Sequence, residues 1–275
     1  MGRKRSSKTR SLAIASGKGG VGKSCIALNL AAAMARRGER VLLLDGDLGL
    51  GNIGLLLGSG GEWTFEDALL GRCAAAAAVL EGPEGLAVLT ASSAETADCW
   101  PEVEIAASVV EDFERLVAGF DTLVIDTGAG IADKTVDLVV AADEALLVVT
   151  PEPTAIADAY AALKALLIRR PDLVAGLVVN MADSADEAAE LHAKFAELAS
   201  RFLGAKIDNR GYIPLDRYVR EAVKRQVPFV LTAPPSPAAQ ALTQLAGNYE
   251  KAPVGKGGGP SFFTRALAPR TGGVD

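Results

Sequence analysis

A chain of 275 residues with a net charge of −6, 49% hydrophobic and 23% charged residues has the make-up of a globular protein with a sizeable core. The acidic balance argues against wholesale electrostatic binding to nucleic acid, and no apolar run approaches the about 18 residues of a membrane span. Three cysteines, Cys25, Cys73 and Cys99, lack metal-ligand spacing and read as buried, reduced thiols of a cytoplasmic protein.

The amino end carries Arg3, Lys4, Arg5, Lys8 and Arg10, which predicts a flexible basic arm over residues 1–10. Such an arm reads equally as a solvated tail or as a segment drawn to acidic lipid or a partner. The apolar run Leu12-Ala13-Ile14-Ala15 then predicts a strand, and residues 17–24 fill the phosphate-binding pattern G-x-x-x-x-G-K-[ST]. A helical pattern with Ile26, Leu28, Leu30 and Met34 comes next, up to Gly38. Strand, glycine loop and helix is the context in which backbone N–H groups surround phosphate oxygens at a helix N-terminus. The candidate nucleotide site is therefore Gly17, Lys18, Gly19, Gly20, Val21, Gly22, Lys23, Ser24 and the adjoining Cys25. Lys23 is expected to reach the β- and γ-phosphates of a nucleoside triphosphate and Ser24 to ligate Mg²⁺.

Continuous apolar runs ending in a polar residue recur along the chain, as strands buried on both faces of a parallel sheet require. They are Val41–Leu44 into Asp45, Leu123–Ile125 into Asp126, Leu146–Val149 into Thr150 and Leu177–Val179 into Asn180. Helical patterns separate them over 103–118, 154–169, 185–203 and 215–226, and the alanine-rich stretch 74–79 predicts a further helix. The expected fold is an α/β, doubly wound, mostly parallel sheet flanked by helices, with ligands at the carboxyl ends of the strands. The segment Val124-Ile125-Asp126-Thr127-Gly128-Ala129-Gly130 reads as a strand delivering a Mg²⁺-holding carboxylate into a mobile glycine turn. The domain is assigned to 11–250, a Gly/Lys/Pro linker to 251–260, and a tail to 261–275. In that tail Phe262, Phe263, Ala266 and Leu267 share one helical face, open to a short membrane-targeting amphipathic helix or a plain tail. The single histidine, His192, and the lack of any nucleophile–histidine–acid set leave positioning and charge as the means of catalysis.

Lys18, directly after the first glycine, gives the loop its resemblance to the deviant P-loop of the MinD/ParA class of ATPases. The resemblance covers about residues 10–250, and in that class the extra lysine crosses a dimer interface to the partner's nucleotide. It implies a P-loop NTPase of MinD/ParA type that binds ATP and Mg²⁺ and forms a homodimer with ATP. Asp47 of Asp45-Gly46-Asp47 matches the carboxylate that orients the attacking water, and Asp45 one near the Mg²⁺ shell with Ser24 and Asp126. Asn180 and the Pro214–Asp216 loop match places that hold adenine, although an Asn capping a helix reads the same.

Four stretches resemble the MinD branch and its FlhG/FleN group of flagellar-number regulators: Asp47–Ile53, Gly128–Ile131, Thr150–Tyr160 with its Pro-Glu-Pro-Thr, and Tyr212–Gln226. That resemblance implies an FlhF-type GTPase, flagellar C-ring proteins and a flagellar transcription regulator as partners, with peripheral attachment to the inner face of the membrane. The N-terminal glutamine- and leucine-containing motif that stimulates FlhF in some members is not visible in the sixteen residues before Gly17. The alternatives are a ParA-type partitioning ATPase binding DNA through the basic side chains of 201–225, a metabolic ATP-dependent enzyme resembling dethiobiotin synthetase, and an iron–sulfur carrier.

Overall fold

The computed structural model describes residues 9–92, 105–251 and 261–267. Most of the basic arm, Cys99, the start of the 103–118 pattern, the linker after Lys251 and the tail beyond Leu267 lie outside the described residues. Along the chain the elements are β1 (Arg10–Ser16), α1 (Lys23–Arg36), β2 (Val41–Gly46), α2 (Ile53–Leu57), α3 (Phe65–Leu69), β3 (Val79–Glu81) and β4 (Ala87–Leu89). They continue through α4 (Ala107–Val117), β5 (Thr122–Ala129), α5 (Asp133–Ala141), β6 (Glu144–Val149), α6 (Pro153–Arg169) and β7 (Val174–Ala182). The chain then forms α7 (Ala185–Leu203), β8 (Asp208–Pro214), α8 (Arg217–Arg225), α9 (Phe229–Thr232), α10 (Pro237–Lys251) and α11 (Phe262–Ala266).

Among the described residues one eight-stranded sheet runs in the order β3-β4-β2-β5-β1-β6-β7-β8. Its pairings are parallel except β3 against β4. Every residue of β2 is buried, as are all but the last of β5, because helices cover both faces. The helix α1 packs with α9 and α10, while α5, α6, α4 and α11 form contacts among themselves away from α1. Chain order reverses around β1, which lies between β5 and β6, and the loop after β1 opens into the crevice where α/β sheets bind ligands.

The helix predicted over 74–79 is instead one 3₁₀ turn, Ala75–Ala78, running straight into β3. Its first N–H donates to the Asp112 carboxylate at 2.6 Å, and the next residues pair with β4. One alanine-rich turn cannot recover the cost of nucleating a longer helix when sheet bonds compete for its end. The short strands β3 and β4 have no counterpart among the elements expected from sequence.

The tail differs from expectation in what covers it. Its apolar face is not presented to solvent: Phe262 and Phe263 are buried, Phe263 stacks on Phe113 at 4.6 Å, and Phe113 meets Phe65 edge-on at 5.4 Å. The Glu114 carboxylate accepts from Ser261 Oγ, Thr264 N and Thr264 Oγ1, and Arg265 pairs with Asp143 at 3.0 Å. Replacing a buried phenylalanine by alanine costs about 3–5 kcal/mol. Phe263→Ala is therefore expected to lower unfolding free energy by about that amount in denaturant titration. A loss under about 0.5 kcal/mol would mean that the tail does not rest in this aromatic slot.

Candidate functional site

Residues 17–22 turn from β1 into α1 around two glycines whose lack of a side chain is required. A Cβ on Gly17 would lie 2.0 Å from the Asp158 backbone, so the loop packs directly on α6. Gly22 has φ 87° and caps α1 with no side-chain hydrogen bond. The first N–H groups of α1 therefore point outward without a side-chain acceptor, the arrangement an anion completes.

Beneath the loop, Lys23 Nζ pairs with Asp126 Oδ1 at 2.8 Å, and both side chains are almost wholly excluded from solvent. Asp126 also receives the Ser24 hydroxyl, while its second oxygen is buried with no partner. Asp45 stands opposite Asp126 in the β2–β5 register, fully buried, accepting from Ile53 N at 3.0 Å and Asp47 N at 3.2 Å. Asp47 lies two residues later, its carboxylate beside Gly128 at the exit of β5. Burial raises all three carboxyls above their ordinary range, Asp45 to about 7, with the neighbouring Asp126 charge adding to the rise. Lys23 pulls Asp47 and Asp126 the other way.

The orphaned Asp126 oxygen and the Ser24 hydroxyl that bonds Asp126 are neighbouring hard oxygen donors, with Asp45 next to Asp126 in the sheet, and they fit Mg²⁺. Among the described residues no group of three His, Cys, Asp or Glu could hold a metal alone. Mg²⁺ characteristically takes one or two protein oxygens and completes its shell with phosphate and water.

Lys18, at the rim, is partly exposed and donates to Glu152 at 2.8 Å and Thr154 Oγ1 at 3.1 Å. These partners belong to the Pro-Glu-Pro-Thr stretch at the start of α6. Cys25 lines the cavity but stays a thiol, because burial pushes its pKa up to about 12. Asn180 is brought to the loop rather than to a helix cap: its Nδ2 donates to Val21 O at 2.7 Å, which leaves its carbonyl oxygen for another donor. Pro214 ends β8 next to β7, whereas both Asp216 oxygens are already taken by Tyr218 N at 2.9 Å and Ala238 N at 3.1 Å. That carboxylate fixes the starts of α8 and α10.

A cavity of about 1000 Å³ joins the loop to residues that the sequence pattern did not assign to the site. They include Asn52 and Leu55 of the α2 region, Lys134 and Thr135 of α5, and Val223, Lys224 and Gln226 at the end of α8. Proximity in sequence to Asp47 and Gly130 could have suggested the first two groups. The third lies in the Tyr212–Gln226 stretch, but nothing local there marks it as facing the loop.

Comparison with known proteins agrees with this geometry. A sequence profile of the family described as ParA, NUBPL iron-transfer P-loop NTPase, matches residues 7–249. The chain is 38% identical to the antiactivator FleN of Pseudomonas aeruginosa, over 95% of each chain. It is 33% identical to the flagellum site-determining protein YlxH of Helicobacter pylori, over 94% of this chain and 90% of that one. Among solved structures, the septum site-determining protein MinD of Pyrococcus horikoshii complexed with Mg-ADP superposes with a TM-score of 0.75 at 26% identity. That match covers 88% of this chain and 96% of the other.

The raised Asp45 carboxyl has a consequence for stability. The folded state holds this proton up to about pH 7, whereas an unfolded Asp releases it near 3.8. Its stabilising contribution is thus complete at acid pH and lost as pH rises through 7. In nucleotide-free, metal-free protein, Asp45→Asn is expected to make the thermal midpoint fall less steeply with pH between about 4 and 7. Identical slopes for the two proteins would remove Asp45 as the titrating group.

Proposed function

Because this chain belongs to the ParA family of P-loop NTPases, we propose that it is an ATP-hydrolysing dimerisation switch controlling flagellar number and placement, as in the FlhG/FleN group. The observation that carries this reading is Lys18, held on the rim of a complete phosphate loop, in a chain similar along 95% of its length to the antiactivator FleN.

In this reading the triphosphate is received by the outward N–H groups of the loop and by Lys23, which exchanges part of its Asp126 contact for phosphate oxygen. Ser24 and Asp126, with Asp45 behind them, would hold Mg²⁺. When bound, that ion neutralises charge on the β- and γ-phosphate oxygens. Asp47 then accepts a hydrogen bond from water and aims it at the γ-phosphate, a role its carboxylate beside Gly128 supports. Asn180 offers its carbonyl oxygen to the adenine amino group from the β7 side, with Pro214 beside it and Asp216 holding that loop in place. Hydrolysis then proceeds by positioning and charge stabilisation, slowly until a partner completes the site.

Dimerisation is supported by the surface around the pocket. Leu50 and Leu55, which line it, are 74% and 64% exposed, and Ile131 is 56% exposed beside Ala132. Two copies meeting here bury these apolar side chains and bring each Lys18 towards the other nucleotide. The Lys18–Glu152 pair does not oppose this strongly, since exposed ion pairs contribute about 0–1 kcal/mol. An FlhF-type GTPase, C-ring proteins and a transcription regulator are the expected partners of the closed dimer.

Membrane attachment through the tail requires α11 to leave its slot, which exposes two phenylalanines costing about 2–3 kcal/mol each in water. That step is feasible only where a bilayer takes up the same apolar face. The iron–sulfur alternative would rest on Cys73, a partly exposed thiol after α3, and on Cys99, which lies outside the described residues.

Sedimentation velocity with ATP and with ADP tests the switch. Asp47→Ala is expected to be a dimer with ATP and a monomer with ADP, and to lose at least about 90% of ATP turnover. Adding Lys18→Ala to it should leave a monomer in both nucleotides. An Asp47→Ala protein that stays monomeric with saturating ATP would overturn the proposal, and salt-sensitive DNA binding by that monomer would favour the partitioning alternative.

A further inference from the structure

In sequence, the basic side chains between 201 and 225 form one candidate patch for nucleic acid, yet the fold divides them. Arg201 lies near the end of α7, over the Phe202 ring, and Arg210 is folded inward against Glu144 and Tyr249. Arg217, Arg220, Lys224 and Arg225 belong to α8, whose only buried residue is Ala222. This helix does not end at random.

Gln226, immediately after α8, adopts φ 56°, the left-handed conformation that glycine would adopt more readily. The turn lets Gln226 N and Val227 N close on the Val223 and Ala222 carbonyls. It also lets Gln226 Nε2 donate to Leu55 O at 2.9 Å. A Cβ on Gly58 would lie 2.8 Å from the Gln226 side chain, so α2 and the end of α8 meet closely. The start of α2 is in turn held by Asp45, through Ile53 N. The last turn of α8 is thereby fixed as a wall of the phosphate-loop cavity, contributing Val223, Lys224 and Gln226.

The lysines of this cavity can be compared by their partners. Lys23 is paired with Asp126 and Lys18 with Glu152, and Lys134 is engaged as well. Among the described residues, no hydrogen bond or ion pair engages Lys224. An exposed lysine on the wall of an anion-binding cavity, with no carboxylate partner, is free to turn to the ligand and neutralise it. The simpler explanation is that Lys224 and Arg225 both offset the negative end of the α8 dipole. The two make opposite predictions, because only Lys224 lines the cavity.

We propose that Lys224 is a phosphate-contacting residue of the nucleotide site, delivered to it by the Gln226–Leu55 contact between α8 and α2. This rests on the ATP-binding reading above and adds an element that the phosphate loop itself does not specify. It also removes one cation from any DNA-binding face while nucleotide is bound.

Fluorescent N-methylanthraniloyl ATP and ADP, titrated with Mg²⁺ into wild type, Lys224→Ala, Lys224→Arg and Arg225→Ala, provide the test. Lys224→Ala is expected to weaken nucleotide binding about tenfold, Lys224→Arg to restore most of it, and Arg225→Ala to bind as wild type does. The nucleotide-free thermal midpoints should coincide, and Lys224→Gln repeats the measurement should alanine disturb the helix. Wild-type affinity in both Lys224→Ala and Lys224→Gln overturns the assignment, as does an equal loss in Arg225→Ala, which a general effect of positive charge near the cavity would explain. A wild type that binds neither nucleotide overturns the ATP reading itself, and the role of Lys224 with it.

Discussion

The buried ion pair between Lys23 and Asp126 is the constraint from which the other features of this site derive. A lysine at the first position of α1 and an aspartate near the end of β5 are both withdrawn from water, so each is tolerable only because of the other. Two more carboxylates, Asp45 and Asp47, crowd the same end of the sheet. Burial raises the proton affinity of all three acids, and the Asp126 charge adds to the rise at Asp45 and Asp47, while Lys23 draws Asp47 and Asp126 down. The same groups define what the site can receive. A divalent cation satisfies the acids, and a triphosphate satisfies the lysine and the outward N–H groups of the loop.

Strand order supplies the geometry. Because β5 inserts between β1 and β2, the phosphate loop after β1, Asp126 on β5 and the Asp45–Asp47 pair after β2 end side by side. The close approach of Gly17 to Asp158 then binds the loop to α6, whose first turn holds Lys18 through Glu152 and Thr154. The loop, the two acidic strand ends and the lysine that distinguishes this family are thus parts of one rigid arrangement. Only the exposed Lys18 pair is cheap to rearrange, as the proposed switch requires.

The tail illustrates how one apolar face is open to more than one neighbour. Phe262, Phe263 and Ala266 do share one side of a short helix. Periodicity reports that such a face seeks an apolar surface, and a bilayer and the Phe65–Phe113 slot satisfy it equally well. Glu114 and Arg265 fasten the helix at its polar edge and seat it in that slot.

Local chemistry was legible in the chain alone. The glycine loop, its flanking strand and helix, and the acids at strand ends obey short-range backbone rules, as does the α7 span 185–203, which needs only periodicity and its Ser184 cap. Whatever depends on residues distant in the chain was settled by the tertiary fold. Asn180 turns to Val21, and Asp216 serves Tyr218 and Ala238. The alanines of 75–78 stop after one turn because β4 captures Val79–Glu81 as a strand. The end of α8 reaches the cavity only because Gln226 meets Leu55, 171 residues away. No periodicity records such a contact, since it exists only once the sheet has set the two helices side by side.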